Sequence, residues 1–180
     1  MTLYYSIHDP IHHRLPIKNG LTGNDLRPLA RANVSVPDKN GACVRVGRST
    51  DDVTIRDIYC HDSQNGILAN LGDGVITIED SRFERNGANK GRAHGIYISQ
   101  AKSLVVRNTQ ILSTKGAGQS LKSGAQRTLV EDSVIAALDG HNSRAIDYFG
   151  GGELIVRRSV LQQAENSDNH DAIGIALEAR

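Results

Sequence analysis

Val53-Thr-Ile-Arg-Asp-Ile-Tyr-Cys60 reads apolar, variable, apolar, charged, polar, variable, variable, apolar. The order returns in Ile76-Thr-Ile-Glu-Asp-Ser-Arg-Phe83, Leu104-Val-Val-Arg-Asn-Thr-Gln-Ile111, Thr128-Leu-Val-Glu-Asp-Ser-Val-Ile135 and Leu154-Ile-Val-Arg-Arg-Ser-Val-Leu161, with Thr128 the one polar opener. The fifth place holds Asp57, Asp80, Asn108, Asp132 and Arg158. A second motif follows each at a looser distance: Asn65-Gly-Ile-Leu-Ala69, His94-Gly-Ile-Tyr-Ile98, Ser120-Leu-Lys-Ser123, Arg144-Ala-Ile-Asp-Tyr148 and Asp171-Ala-Ile-Gly-Ile175. One unit of roughly 25 residues therefore holds two short segments of period two, which is strand periodicity, joined by Gly, Asn, Ser and charged residues.

Helical solenoids need longer units and apolar stripes of helical spacing, and leucine-rich repeats need a leucine pattern that is missing. An antiparallel sandwich would not repeat one short sequence at a near-constant offset. The remaining solution is all-β: a coil stacked on itself, each strand pairing in parallel with its counterpart ~4.8 Å away along the axis. The inward places are then Val, Ile and Leu ladders. The polar fifth place falls where the strand bends and a short side chain can bond nearby backbone.

Length and composition agree. The chain has 180 residues, one domain's worth, and only 4% aromatic residues, so its core must come from aliphatic side chains. With 21 basic against 20 acidic residues there is no overall field for nucleic acid. No run approaches the ~18–20 apolar residues that span a bilayer, and the first residues show no signal-peptide pattern. Cys43 and Cys60 lack metal-site spacing. Two small buried hydrophobes are the expected reading; a 43–60 disulfide stays open, and the compartment is not fixed.

The pattern apolar-x-apolar-x-(Asn/Asp)-x-x-apolar followed by x-Gly-Ile-x-apolar resembles the right-handed parallel β-helix repeats of the pectate lyase-like superfamily, over about Ala42 to Leu177. His94-Gly-Ile-Tyr-Ile-Ser, Leu121-Lys-Ser and Ala145-Ile-Asp-Tyr also resemble a bacterial group of lyase-like or uronate-epimerase-like β-helix proteins. The resemblance implies a right-handed parallel β-helix of about five to six coils over 42–180, behind an irregular N-terminal segment or cap over 1–41. It implies an extracellular or periplasmic setting. The chain stops one strand into a coil, so self-association through open coil ends is expected.

Stacking turns the repeats into a map. With Ile67, Ile96, Leu121, Ile146 and Ile173 as the inward row, the next residues, Leu68, Tyr97, Lys122, Asp147 and Gly174, form an outward row. Asn65, His94, Gln119, Arg144 and Asp171 open the same strands, and a bend there is expected to turn them out beside that row. The candidate patch is His94, Tyr97, Gln119, Lys122, Arg144 and Asp147, with Arg127 as a further cation.

These residue types suit uronic-acid chemistry, and the resemblance points to a polysaccharide lyase or C5 epimerase with an acidic polysaccharide as partner. Arg144 or Arg127 would hold the sugar carboxylate, with Gln119 beside them. Lys122 would be the base, Tyr97 or His94 the acid, or the roles exchange. Asp147 would orient Lys122 or His94, or contact a hydroxyl. The alternatives are a non-catalytic glycan-binding module and a structural solenoid, in which the same column is an ordinary polar surface. No metal site is assigned. Calcium stays open through Asp51-Asp52, Glu79-Asp80 and Glu131-Asp132, which also suit bends. His8-Asp9-Pro-Ile-His12-His13 reads as a solvated loop, and His141 and His170 as surface histidines.

Overall fold

A computed structural model describes residues 2–3, 27–30, 41–48, 51–88 and 90–177. Among them the fold is an all-β parallel solenoid of about five turns, without helices. The first layer holds β1 (Thr2–Leu3), β2 (Arg27–Ala30) and β3 (Ala42–Val46), and the next β4 (Val53–Arg56), β5 (Ile58–His61) and β6 (Asn65–Asn70). Then come β7 (Val75–Glu79) and β8 (Arg82–Glu84), followed by β9 (Ile96–Arg107), which runs on into the following coil. That coil continues with β10 (Gln110–Leu112) and β11 (Leu121–Glu131), another strand that turns from one coil into the next. β12 (Val134–Ala136) and β13 (Ile146–Tyr148) precede the last layer, β14 (Glu153–Arg157), β15 (Val160–Gln162) and β16 (Ile173–Ile175).

Each coil has three sides. The first half of the octapeptide motif pairs along β1, β4, β7, the end of β9, the end of β11 and β14. Its second half pairs along β2, β5, β8, β10, β12 and β15. The second motif pairs along β3, β6, the starts of β9 and β11, β13 and β16.

The corners explain the polar fifth place. Asp57, Asp80, Asn108, Asp132 and Arg158 all adopt left-handed backbone, with φ of 56°, 51°, 44°, 49° and 48°. Asp and Asn tolerate that conformation best. Arg158 is the exception, and its guanidinium reaches back one coil to Asp132 (2.8 Å) and Glu131 (2.9 Å). The residue after four of the five corners, Ser81, Thr109, Ser133 and Ser159, carries a hydroxyl ladder at a place that the octapeptide reading treated as variable. Ser81, Ser133 and Ser159 each donate to the carbonyl two residues back and accept an N–H from the preceding coil, from Ile58, Thr109 and Ser133 respectively. The charged fourth place forms an alternating column, Arg56, Glu79, Arg107, Glu131 and Arg157, in register across five coils. Glu131 accepts from Arg107 (2.7 Å) and Arg157 (2.8 Å).

The interior is the expected aliphatic ladder with two aromatic members, Phe83 and Tyr148, both fully buried. The Tyr148 hydroxyl lies 2.9 Å from the carbonyls of both Gln126 and Gly151, so its polar end is satisfied.

The cysteines correct the sequence reading. Cys43 on β3 and Cys60 on β5 are joined in a disulfide, with Cα atoms 6.1 Å apart. They belong to different faces of neighbouring coils, so a strand-pairing map does not bring them together. The narrow interior does, because inward side chains from opposite walls meet across it.

Candidate functional site

The face built from the second motif carries the expected register. Ile67, Ile96, Leu121, Ile146 and Ile173 pair one to the next, and so do Leu68, Tyr97, Lys122, Asp147 and Gly174 beside them. The inward row is buried in the core or packed against it. The outward row places a phenol, an ammonium and a carboxylate in three successive coils.

Lys122 is the centre of the group. Its Nζ lies 3.8 Å from Asp147 Oδ2, 5.7 Å from the centroid of the Tyr97 ring and 5.4 Å from that of Phe149. The two rings are 6.2 Å apart, centroid to centroid. An ammonium flanked by ring faces and a carboxylate is held by cation–π and ionic attraction together. Its side chain is 13% exposed and that of Asp147 only 3%, so the pair is largely withdrawn from water.

Phe149 is the member that sequence reasoning missed. It follows the inward Tyr148, and its ring leans back over the preceding coil. A Cβ on Gly124 would lie 2.6 Å from the ring's Cζ, so only glycine leaves the ring that room. Arg144 passes closely over Gly174, its Cδ and Nε 3.0 Å from where a Cβ there would lie. The legible signal was a glycine inside each of two strands of a repeat that otherwise places side chains there.

The strand-opening residues behave differently from the expectation. Rather than turning out together, His94 is buried, 3% exposed, beneath the same face. Its ring packs edge-on against Tyr97 with centroids 5.1 Å apart, and its Nδ1 accepts the Gln119 N–H at 3.1 Å. That bond assigns the remaining ring proton of the neutral imidazole to Nε2. Burial, with the Lys122 charge as a smaller cause, lowers the His94 pKa to about 3. Gln119 meets His94 through that backbone N–H, and its side-chain Oε1 is buried with no hydrogen-bond partner among the described residues.

Arg144 crosses Gly174 and pairs with Asp171, and its Nη2 donates to Asn169 Oδ1 at 2.9 Å. Arg127 is not brought to the group. It lies past the irregularity between Ser123 and Ala125, on the next face, in an exposed pair with Glu153 at 2.6 Å. The structure therefore brings together His94, Tyr97, Gln119, Lys122 and Asp147, with Phe149 added and Arg144 alongside.

A buried neutral histidine has a pH signature. Above pH ~6.5 neither the folded nor the unfolded chain protonates it, and there is no penalty. Below that the unfolded chain takes up a proton that the folded chain refuses until about pH 3. Stability is therefore lost as pH falls, by about 1 kcal/mol per unit. Melting curves between about pH 6.5 and 5, above the range of most carboxylates, should show a smaller fall for His94→Gln than for the native chain. Equal slopes would contradict the buried neutral assignment.

Several carboxylates elsewhere are engaged by backbone, cations or neutral side chains. Asp52 accepts the Val75 N–H at 2.9 Å, Glu79 pairs with Arg56, and Asp80 accepts from Asn108 at 2.7 Å. His141 pairs with Asp168 at 2.7 Å in an exposed loop. Among the described residues no three His, Cys, Asp or Glu side chains converge as a metal set. His8-Asp9-Pro-Ile-His12-His13 lies outside the described residues.

Comparison with known families matches residues 29–173 to the family described as "Right handed beta helix region". Neither the curated proteins nor the solved structures gave a match. The matched segment begins within β2 and ends at the start of β16, so it takes in β3 to β15 and leaves out β1. By its repeat, its parallel coils and this match over most of its length, the chain belongs to the right-handed β-helix family.

Proposed function

We propose that this β-helix is a carbohydrate-active protein of the pectate lyase-like type, acting on a uronic-acid polysaccharide by β-elimination or C5 epimerisation. The observation that carries the reading is the Lys122 ammonium fixed between two aromatic rings and a withdrawn carboxylate, one coil from the Tyr97 phenol. Burying an ion pair and an imidazole costs folding free energy that apolar residues on the same face would not. Such local departures from a repeat favour a functional site.

The roles follow from the placement. Lys122 and Arg144 present positive charge to the sugar carboxylate, which makes the C5 proton easier to remove. Tyr97 and Lys122 supply the two proton transfers. Tyr97, through its deprotonated phenol oxygen, takes the C5 proton, and the Lys122 ammonium is the acid. In elimination the freed electron pair forms the C4–C5 double bond, the C4–O bond breaks, and the leaving oxygen takes a proton from the other. In epimerisation that proton goes to the opposite side of C5. His94, neutral at working pH, buttresses Tyr97 instead of acting as an imidazolium acid. Asp147 orients Lys122. The disulfide supports a place outside a reducing cytosol.

A binding-only role has one observation in its favour: the Lys122 charge is already matched by Asp147, an arrangement that suits a fixed recognition surface. One experiment separates the two. Alginate, pectate, glycosaminoglycans and bacterial acidic polysaccharides are incubated with the protein, with ultraviolet absorbance reporting a new double bond and proton NMR reporting inversion at C5. Turnover that falls by about 100-fold or more in both Lys122→Ala and Tyr97→Phe is expected, the usual size of a lost acid–base group. Binding without turnover selects the second reading, and neither binding nor turnover removes both.

A further inference from the structure

The last described layer presents an unusual edge. Among the described residues β14, β15 and β16 each pair on one side only, with β11, β12 and β13. Three of the large apolar side chains that are more than half exposed, Val160, Ile175 and Leu177, lie in this layer. Leu154, Val156, Leu161 and Ile173 extend the core ladder here but are only partly buried. An apolar rim beside free backbone groups is a template for another strand.

The chemistry of β14 identifies that strand. The Arg157 carbonyl accepts the Asp132 N–H from the preceding coil. Backbone groups alternate sides along a strand, so those of Glu153, Ile155 and Arg157 point into the solenoid stack. The N–H and C=O of Leu154 and Val156 point out of it. Glu153-Leu-Ile-Val-Arg157 is charge-symmetric about Ile155. Laid antiparallel on itself, it sets Leu154 opposite Val156 as a hydrogen-bonded pair and Ile155 opposite Ile155. Glu153 then faces Arg157 at both ends, and both side chains are more than half exposed. The two-fold axis passes through the middle of this face, so it carries the β15 side of one copy onto the β16 side of the other. Val160 then meets Ile175 and Leu177.

We infer that a second copy of this chain pairs with the first through β14, antiparallel and two-fold symmetric about Ile155. The contact is isologous and closes at two copies, consuming the edge without seeding a filament. It does not depend on the activity proposed above.

The test uses the self-facing residue. Sedimentation velocity and light scattering of the native chain should show a dimer. Ile155→Lys and Ile155→Glu each place like charges directly opposite and should weaken dimerisation about tenfold or more. An equal mixture of the two variants should recover a dimer containing one of each. Circular dichroism and melting curves establish that the variants fold. If they do not, Val160→Asp on β15 decides: weakened association is expected, and an unchanged dimer overturns the pairing. A native chain that stays monomeric, as it would if another part of the polypeptide covered the edge, overturns it too. So does a dimer indifferent to both Ile155 substitutions, or a mixture that stays monomeric.

Discussion

Phe83→Ala should lower the stability of the solenoid by about 3–5 kcal/mol. Phe83 is fully buried on β8 and stands in register between Cys60 below and Ile111 above. Ile135 and Leu161 continue that column. In a globular core a vacated ring volume is partly refilled by neighbours from several directions. Here each neighbour is fixed by parallel hydrogen bonds to the coils on either side, so collapse is limited to small tilts. The space is also shaped by glycine: a Cβ on Gly66 would lie 2.9 Å from the Phe83 ring. Phe83→Leu, which keeps most of the volume, should cost much less. Urea unfolding of the three chains, read by circular dichroism, checks this. A Phe83→Ala midpoint close to the native one would show that the interior is looser than described.

Breaking the Cys43–Cys60 bond should be nearly as costly. The bond closes a loop of sequence separation 17, for which chain entropy predicts a contribution of about 3 kcal/mol. It ties β3 to β5, the first of the coils whose side chains pack fully. Solenoids gain stability from nearest-neighbour interfaces, so loosening this end exposes the next coil. Cys43→Ser is therefore expected to lower the melting temperature by about 6–12 °C. Reductant should lower the native chain by a similar amount and leave Cys43→Ser unchanged. Hydrogen exchange should place the new opening in β3 to β6, with β9 and β11 still protected. Insensitivity of the native chain to reductant would contradict the bond.

Repeats encode some contacts and not others. Which residues stack between coils was legible. Ile96, Leu121 and Ile146, with Tyr97, Lys122 and Asp147 beside them, follow from aligning short motifs, because parallel pairing at constant register leaves no freedom. The corners were legible for the same reason, through Asp57, Asp80, Asn108 and Asp132.

What was not legible depends on how side chains lean or reach across the coil. The disulfide links two faces that no strand register connects. Phe149 enters the Lys122 group only because Gly124 leaves a gap one coil away. His94 opens its strand as Gln119, Arg144 and Asp171 do, yet like Asn65 it is buried, with its ring packed against Tyr97 three residues along. Arg127 looks close to Lys122 in the sequence, but extended backbone rising ~3.3 Å per residue carries it past a bend and onto Glu153.

We propose that this protein meets its ligand on the Tyr97–Lys122–Phe149 face, and that the ligand is an acidic glycan. The measurement that tests it most directly is a two-dimensional NMR titration of the isotope-labelled chain. Uronic-acid oligosaccharides are added, with neutral oligosaccharides of equal length as the comparison. Shifts confined to β9, the start of β11, β13 and Phe149 are expected, produced by the acidic series and abolished by Lys122→Ala in a chain that still folds. Shifts on another face, equal shifts from the neutral series, or no shifts across a panel of uronic acids would contradict it.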